Sequence, residues 1–306
     1  MKSKVENRII FIPIFLMKFL LVFFFLIFGS HAIDAQTKRA LIVGIGVYPL
    51  ESGWSTIHGD NDVPLITDAL VSRGFDQDKI LKLVNEQANK KNILQKFNLI
   101  VGQAHLNDII YIHFSTHGQQ VADTDGDEED GLDEAIVPYD ARKTFEKGVY
   151  EGKNHLIDDE LNQLLSDLRK KIGKLGSLVV VIDACHSGDA TRGNGDENDS
   201  IVIRGTPDIF KPGAKQKFVA KPVKSIDWVE ISASQPNQNN YEYKVNGSYY
   251  GSLSYAIKLT LPDLTGKDDF TNMFKAIQKN REDMNVSRYQ RPMIQGERYY
   301  LNQKVF

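Results

Sequence analysis

The chain has 306 residues, of which 42% are hydrophobic and 10% are aromatic, which is enough apolar material for one large core. Its formal net charge is −3, so there is no global basic field to attract nucleic acid, and we expect no nucleic-acid partner. The single cysteine excludes an internal disulfide and a zinc site built on several thiolates.

The N-terminal 35 residues have the pattern of an export signal. An unbroken apolar block at residues 19–28 follows Lys18 and is followed by small residues up to Ala35. A basic start, a short apolar centre and a small-residue exit are typical of a secretory signal peptide, whereas a spanning helix needs ~20 apolar residues. We therefore expect residues 1–35 to be a signal peptide and the mature protein to be periplasmic or extracellular. The protein would then contact the membrane only during export. The alternative is that residues 1–35 remain attached as a membrane anchor.

Apolar strands and amphipathic helices alternate along residues 36–306. The pattern predicts strands at residues 39–45, 80–84, 108–114, 177–182 and 227–232, and helices at residues 61–72, 89–104, 158–168, 251–261 and 269–284. Such alternation is typical of a mainly parallel sheet covered by helices on both faces. We therefore predict one α/β sandwich domain, in which a larger part (about 36–188) and a smaller part (about 226–306) are joined by a flexible linker (about 189–225).

Two polar motifs follow the third and fourth predicted strands. The motif STHG contains His117, and the motif DACHSG contains Cys185. In open α/β sheets, ligands bind outside the carboxyl ends of the strands, so both motifs should face one crevice. There a histidine could lower the pKa of the thiol, and the backbone amides of Gly118 and Cys185 could stabilise an oxyanion. The sequence thus predicts a His117/Cys185 dyad, in preference to His186, which adjoins the nucleophile and points elsewhere in most backbone geometries.

These motifs resemble the metacaspase branch of the caspase-like cysteine peptidases. The resemblance is carried by YIHFSTHGQQ, DTDGDEEDGLDEAIVPYD, LIDDELNQLL and VVVIDACHSG, with RALIVGIGVYP upstream and ISASQPNQNNYE and GSYYGSLSYAI downstream. It implies the caspase-like three-layer sandwich and hydrolysis of peptide bonds through an acyl-enzyme on Cys185, with His117 as base. Two alternatives remain: a peptidase of the same superfamily with another specificity, and a non-catalytic caspase-like binding module. The intact dyad argues against the second.

The resemblance also implies an acidic substrate pocket. It places Asp183 in the pocket for the side chain that precedes the cleaved bond, with Asp62 as a second acid and Ser115 on the wall. Because a carboxylate pairs directly with arginine or lysine, we expect protein or peptide substrates that are cut after Arg or Lys. The linker contains several basic residues, including Arg204. It is either a solvated basic loop or a segment in which an Arg/Lys-specific peptidase cuts its own chain.

The stretch DTDGDEEDGLDE is unusually rich in carboxylates. Such a run either stays solvated because its charges repel, or is gathered around a cation. The resemblance implies Ca²⁺ bound by Asp133, Asp158 and Asp159. Arg192 stands where the family has a further ligand, and Asp189 is close enough to substitute. We therefore expect calcium as the cofactor, acting on loop order rather than on the chemistry, and no organic cofactor.

Overall fold

The computed structural model describes residues 36–124, 126, 128, 131–185, 202–212, 226–235, 238–286 and 290–306. Residues 1–35, which carry the expected signal peptide, therefore lie outside the described residues, as do His186, Asp189 and Arg192. Thr37–Phe306 form one compact unit. Within the described part of the chain, no helix combines the length and the hydrophobicity that crossing a membrane requires.

Eleven strands and six α-helices make up this unit. The strands are β1 (Lys38–Gly44), β2 (Ile80–Val84), β3 (Ile109–Ser115), β4 (Gly118–Ala122), β5 (Leu132–Ile136), β6 (Leu156–Ile157), β7 (Ser177–Asp183), β8 (Val229–Ser232), β9 (Glu242–Val245), β10 (Ser248–Gly251) and β11 (Met293–Gln295). The helices are α1 (Gly59–Ser72), α2 (Lys90–Gln103), α3 (Asp158–Ile172), α4 (Ser252–Thr260), α5 (Phe270–Asp283) and α6 (Arg298–Leu301). These counts cover only the described residues.

A six-stranded sheet in the order β11-β8-β7-β3-β1-β2 lies at the centre. All neighbouring pairs in it are parallel except β11 with β8. Successive residues of β1 alternate between two hydrophobic clusters: Leu41 packs with α2 and α3, and Ile42 packs with α1, α4 and α5. The sheet is thus covered by helices on both faces, and the predicted α/β sandwich is confirmed.

Two small sheets were missed by the sequence analysis. Strands β4, β5 and β6 form a three-stranded antiparallel sheet, and β9 and β10 form a hairpin. These strands are short and mix polar with apolar residues, so they lack the long apolar runs by which β3 and β7 are recognised in the sequence. Every predicted strand and helix is present, with ends that differ by at most a few residues.

The first turn of α1 lies against the carboxyl end of β3. A Cβ atom on Gly59 would lie 2.1 Å from the backbone oxygen of Ser115, so only glycine permits this close approach. The approach brings Asp62, on the same turn, to the strand ends. There its two carboxylate oxygens each lie 3.1 Å from the backbone nitrogen of Gly251.

Candidate active site

The register of the central sheet places the two predicted catalytic motifs side by side. Ser115, the last residue of β3, pairs with Asp183, the last residue of β7. His117 and Cys185 each follow two residues later, so both lie beyond the same sheet edge. His117 is fully buried and Cys185 is 1% exposed. The Cys185 Sγ donates to the backbone oxygen of Gln238 at 3.1 Å.

The His117 ring is held by contacts that the sequence analysis did not predict. Its Nε2 lies 2.9 Å from the backbone oxygen of Ser55, and its ring stacks on Trp54 at 4.8 Å. A carbonyl can only accept, so Nε2 carries the proton and Nδ1 keeps its lone pair. Nδ1 is buried and has no hydrogen-bond partner among the residues that the structure describes. Burial lowers the pKa of His117 to about 4, so the ring is neutral near pH 7, as a general base must be.

A buried acidic pocket beside Cys185 is occupied by the side chain of Arg204. Its guanidinium lies 2.9 Å from Asp62 Oδ2, 3.0 Å from Glu242 Oε1 and 3.8 Å from Asp183 Oδ1. It also donates to the hydroxyl of Ser115. All four charged side chains are fully buried. The structure therefore brings the three predicted pocket residues together around a guanidinium of the same chain.

Asp183 is fixed in this pocket by groups that donate to its carboxylate. The Asn240 side chain donates at 2.7 Å, and Ser254 donates through its backbone nitrogen at 2.8 Å and its hydroxyl at 2.7 Å. Burial would raise the pKa of Asp183, but the Arg204 guanidinium and these hydrogen bonds outweigh burial and lower it. The carboxylate is therefore charged and oriented before any external ligand arrives.

Glu242 is the pocket residue that sequence reasoning missed. It begins β9 and contacts Arg204 through Oε1, while its Oε1 also accepts from the backbone nitrogen of His58 at 2.7 Å. Its other oxygen lies 2.6 Å from His58 Nδ1. The one sequence signal was an acid within the segment ISASQPNQNNYE, which carries a family likeness but no pattern that marks a binding residue.

The backbone around Arg204 is paired with residues 240–242 along one side of the cleft. Arg204 donates to the backbone oxygen of Asn240 at 3.0 Å, Glu242 donates to that of Val202 at 3.0 Å, and Ile203 forms an antiparallel bridge. The Arg204 carbonyl oxygen accepts from the backbone nitrogen of Cys185 at 2.9 Å and from that of Gly118 at 3.3 Å. The two amides that the sequence analysis named as oxyanion donors thus converge on one carbonyl. These hydrogen bonds hold the described part of the linker, residues 202–212, against the cleft.

A second acidic region lies where β5 and α3 meet. Asp133 is on β5, and Asp158 and Asp159 open α3. Burial, reinforced by Glu134 and then by the other nearby carboxylates, raises the pKa of Asp158 to about 8. Over the described residues, no group of three or more acidic, histidine or cysteine side chains has an arrangement ready to hold a metal ion. The negative charge predicted for a calcium site is therefore concentrated here, but the ligands are not gathered around one point.

Comparisons with known proteins agree with this geometry. Residues 38–192, just over half of the chain, match the family model for the metacaspase, peptidase C14 domain. Metacaspase-1 of Eremothecium gossypii is 32% identical over 176 residues, which cover 53% of this chain and 36% of that protein. Metacaspase-1B of Aspergillus fumigatus is 35% identical over 162 residues, which cover 50% and 36%.

The matched region therefore spans little more than a third of these curated relatives. Among solved structures, protein GSU0716 from Geobacter sulfurreducens superposes with a TM-score of 0.62 at 21% identity, covering 88% of this chain and 97% of that one. At that identity the likeness concerns the fold alone. The family model supplies the assignment, and this chain belongs to the metacaspase family of C14 peptidases.

Proposed function

We propose that this chain is a cysteine endopeptidase that cuts peptide bonds after Arg or Lys, with Cys185 as nucleophile and His117 as base. The observation that supports it most is the placement of Arg204. Its side chain lies among the pocket carboxylates while its carbonyl oxygen accepts from the amides of Cys185 and Gly118. Simultaneous binding of side chain and carbonyl is what an endopeptidase needs from the residue before a cleaved bond.

The proposed reaction follows from these positions. His117 Nδ1 takes the proton of the Cys185 thiol, and the thiolate attacks the carbonyl carbon. The resulting oxyanion accepts from the backbone amides of Cys185 and Gly118. The imidazolium then gives its proton to the leaving amine, which releases the first product and leaves a thioester on Cys185. Water, deprotonated by His117, hydrolyses the thioester and restores the thiol.

The charge of the pocket accounts for the proposed specificity. Three buried carboxylates, Asp62, Asp183 and Glu242, need a cation from the substrate, and both arginine and lysine supply one. An aspartyl substrate would instead add a fourth negative charge to a site that excludes water, which is strongly unfavourable. Arginine also matches the acceptors more closely, since its Nε donates to Glu242 at 3.1 Å.

The same geometry makes the linker the first substrate. The bond between Arg204 and Gly205 lies at the dyad, so the chain blocks its own cleft until that bond is cut. We therefore place the proposed self-cleavage at Arg204–Gly205. This choice separates Arg204 from the other basic residues of the linker, which the sequence alone ranked equally.

Turnover of fluorogenic peptides ending in Arg, Lys or Asp tests the proposal. We expect Arg and Lys peptides to be cut at least about 100-fold faster than Asp peptides, and Cys185→Ala to abolish all turnover. Mass spectrometry should find a new N-terminus at Gly205 in the wild type and none in Cys185→Ala. Faster cleavage of Asp peptides would refute the pocket assignment, and turnover by Cys185→Ala would refute the nucleophile.

We also propose that residues 1–35 direct export, so that the peptidase works in the periplasm or outside the cell. The support is the short apolar block at residues 19–28 with its basic start and small-residue exit. Intact mass of the protein recovered from the periplasm or medium should correspond to a chain that begins near Gln36. A mass that still includes the first 35 residues would contradict cleavage.

We propose Ca²⁺ as the cofactor, held by Asp133, Asp158 and Asp159. Asp189, which lies outside the described residues, is the candidate for a further ligand. The residues fit such an ion by charge and chemistry: burial, reinforced by the neighbouring carboxylates, raises the pKa of Asp158 to about 8, and hard oxygen donors suit calcium. Because they are not gathered around one point, binding must draw them together. Calcium would then supply charge neutralisation that orders this end of α3, and it would take no part in the reaction.

Thermal unfolding gives a readout of calcium that is independent of activity. In the Cys185→Ala protein, calcium at a large excess over its dissociation constant should raise the unfolding midpoint by about 5 °C or more. Asp158→Asn should remove this shift, whereas Asp283→Asn, at an exposed position of α5, should keep it. An unchanged midpoint at concentrations up to about 10 mM would contradict calcium binding.

A further inference from the structure

The linker is anchored in the cleft after the Arg204–Gly205 bond as well as before it. Phe210, the sixth residue after Arg204, bridges in parallel to Val121 of β4. Its backbone nitrogen donates to the oxygen of Gln120 at 2.8 Å, and its own oxygen accepts from Ala122 at 2.8 Å. These are main-chain contacts with the edge of β4, which any extended peptide could make.

The side chain of Phe210 fills a pocket whose walls belong to the body of the domain. The Phe210 ring is 2% exposed, lies 4.5 Å from the ring of His155 and meets Tyr150 edge-on at 5.8 Å. His155 is held rigidly, because its Nε2 lies 2.9 Å from Gln119 Oε1 and its Nδ1 lies 3.0 Å from the Tyr150 hydroxyl. The pocket is thus an aromatic slot whose walls are held in place by hydrogen bonds.

Asp208 and Ile209, which precede Phe210, do not place their side chains in this pocket. Gln119 donates to the backbone oxygen of Asp208 at 2.9 Å, and Lys143 pairs with the Asp208 carboxylate at 3.0 Å. The next side chain, Ile209, is 40% exposed. The segment after the cleaved bond is therefore held by its backbone, with one side chain directed into the domain and its neighbour directed outward.

We propose that the slot formed by Tyr150, His155 and the edge of β4 is a substrate subsite that takes an aromatic side chain six residues after the residue at which the chain is cut. The proposal rests on the proposed function. The walls belong to the domain, whereas the occupant belongs to the linker beyond the bond that is cut, which is the relation between a subsite and its substrate. After self-cleavage, Phe210 stays tethered and competes with external substrates for this subsite.

Cleavage of linker peptides measures the subsite directly. The peptide VIRGTPDIFKP copies residues 202–212, and two further peptides carry alanine in place of Phe210 or of Ile209. The full-length Phe210→Ala protein is used as the enzyme, so that its own linker leaves the slot open. We expect kcat/KM to fall about tenfold or more when the peptide loses its phenylalanine, and to stay within about twofold when it loses isoleucine.

The wild-type, self-processed protein provides a second enzyme in case Phe210→Ala does not fold. With this enzyme, kcat/KM for the phenylalanine peptide should exceed kcat/KM for the alanine peptide only about threefold, because the tethered Phe210 competes for the slot. Equal rates for the phenylalanine and alanine peptides with both enzymes would overturn the subsite and leave the peptidase intact. If none of the peptides is cut, the proposed function is overturned, and the subsite falls with it.

Discussion

Replacing Arg204 with glutamine is expected to abolish self-cleavage after residue 204 and to lower the free energy of unfolding by about 3 kcal/mol. The guanidinium is the cation that directly contacts Asp62 and Glu242, and it lies 3.8 Å from Asp183. All of these side chains are fully buried. Glutamine keeps much of the length but removes the charge, so three buried carboxylates lose their main compensation. The guanidinium also anchors residue 204 in the pocket and so positions its carbonyl group at Cys185. Without that anchor, the bond after residue 204 is no longer presented for cleavage.

Arg204→Lys is the matched control for this prediction. Lysine keeps the charge but lacks the Nε that donates to Glu242 at 3.1 Å, so cleavage should continue with a smaller loss of stability. Urea unfolding in the Cys185→Ala background separates stability from processing, and N-terminal mapping in the active background reports the cleaved bond. Efficient cleavage of the Arg204→Gln protein after residue 204, or equal stability of the two variants, would show that the pocket does not select for charge.

The placement of His117 and Cys185 beyond one edge of the sheet could be predicted because it depends on patterns that are local in sequence. The apolar runs of β3 and β7 identify buried parallel strands, and parallel strands present their carboxyl ends at one edge. The observed register, in which Ser115 pairs with Asp183, follows from that arrangement. Residues that come directly after such strands are therefore accessible to sequence reasoning.

The rest of the site could not be predicted because its groups come from distant segments or from the backbone. Ser55 acts on His117 through a carbonyl, a group that every residue has, so its identity carries no signal. Glu242 reaches the pocket from a short hairpin without a clear hydrophobic period. Arg204 was one of several basic residues in the linker, and the following glycine does not single it out, since Arg192 also precedes a glycine. Only tertiary contacts distinguish it.

Gly205 lies too close to Cys185 to carry a side chain, so we expect its replacement to slow self-cleavage strongly. A Cβ atom on Gly205 would lie 2.5 Å from the backbone oxygen of Cys185 and 2.9 Å from its Cβ. Neither neighbour can move without shifting the nucleophile itself. Gly205→Ala should therefore push the bond away from Cys185, and a misplacement of about 1 Å can slow a reaction about 100-fold. We expect a loss of that size in the rate of self-cleavage.

Gly102→Ala is the control, because a Cβ atom there would have no neighbour within 4 Å. The decay of the intact chain with time, followed by mass spectrometry, gives both rates. If Gly205→Ala is processed as fast as Gly102→Ala, the linker does not approach the nucleophile as the structure places it. The alternative outcome is that only Gly205→Ala is processed slowly, while the processed fraction of that variant still cuts Arg-terminated peptides. The substitution would then have displaced the linker from Cys185 without damaging the catalytic residues. Within the linker, the residue after the bond would then be restricted to glycine by the backbone of Cys185.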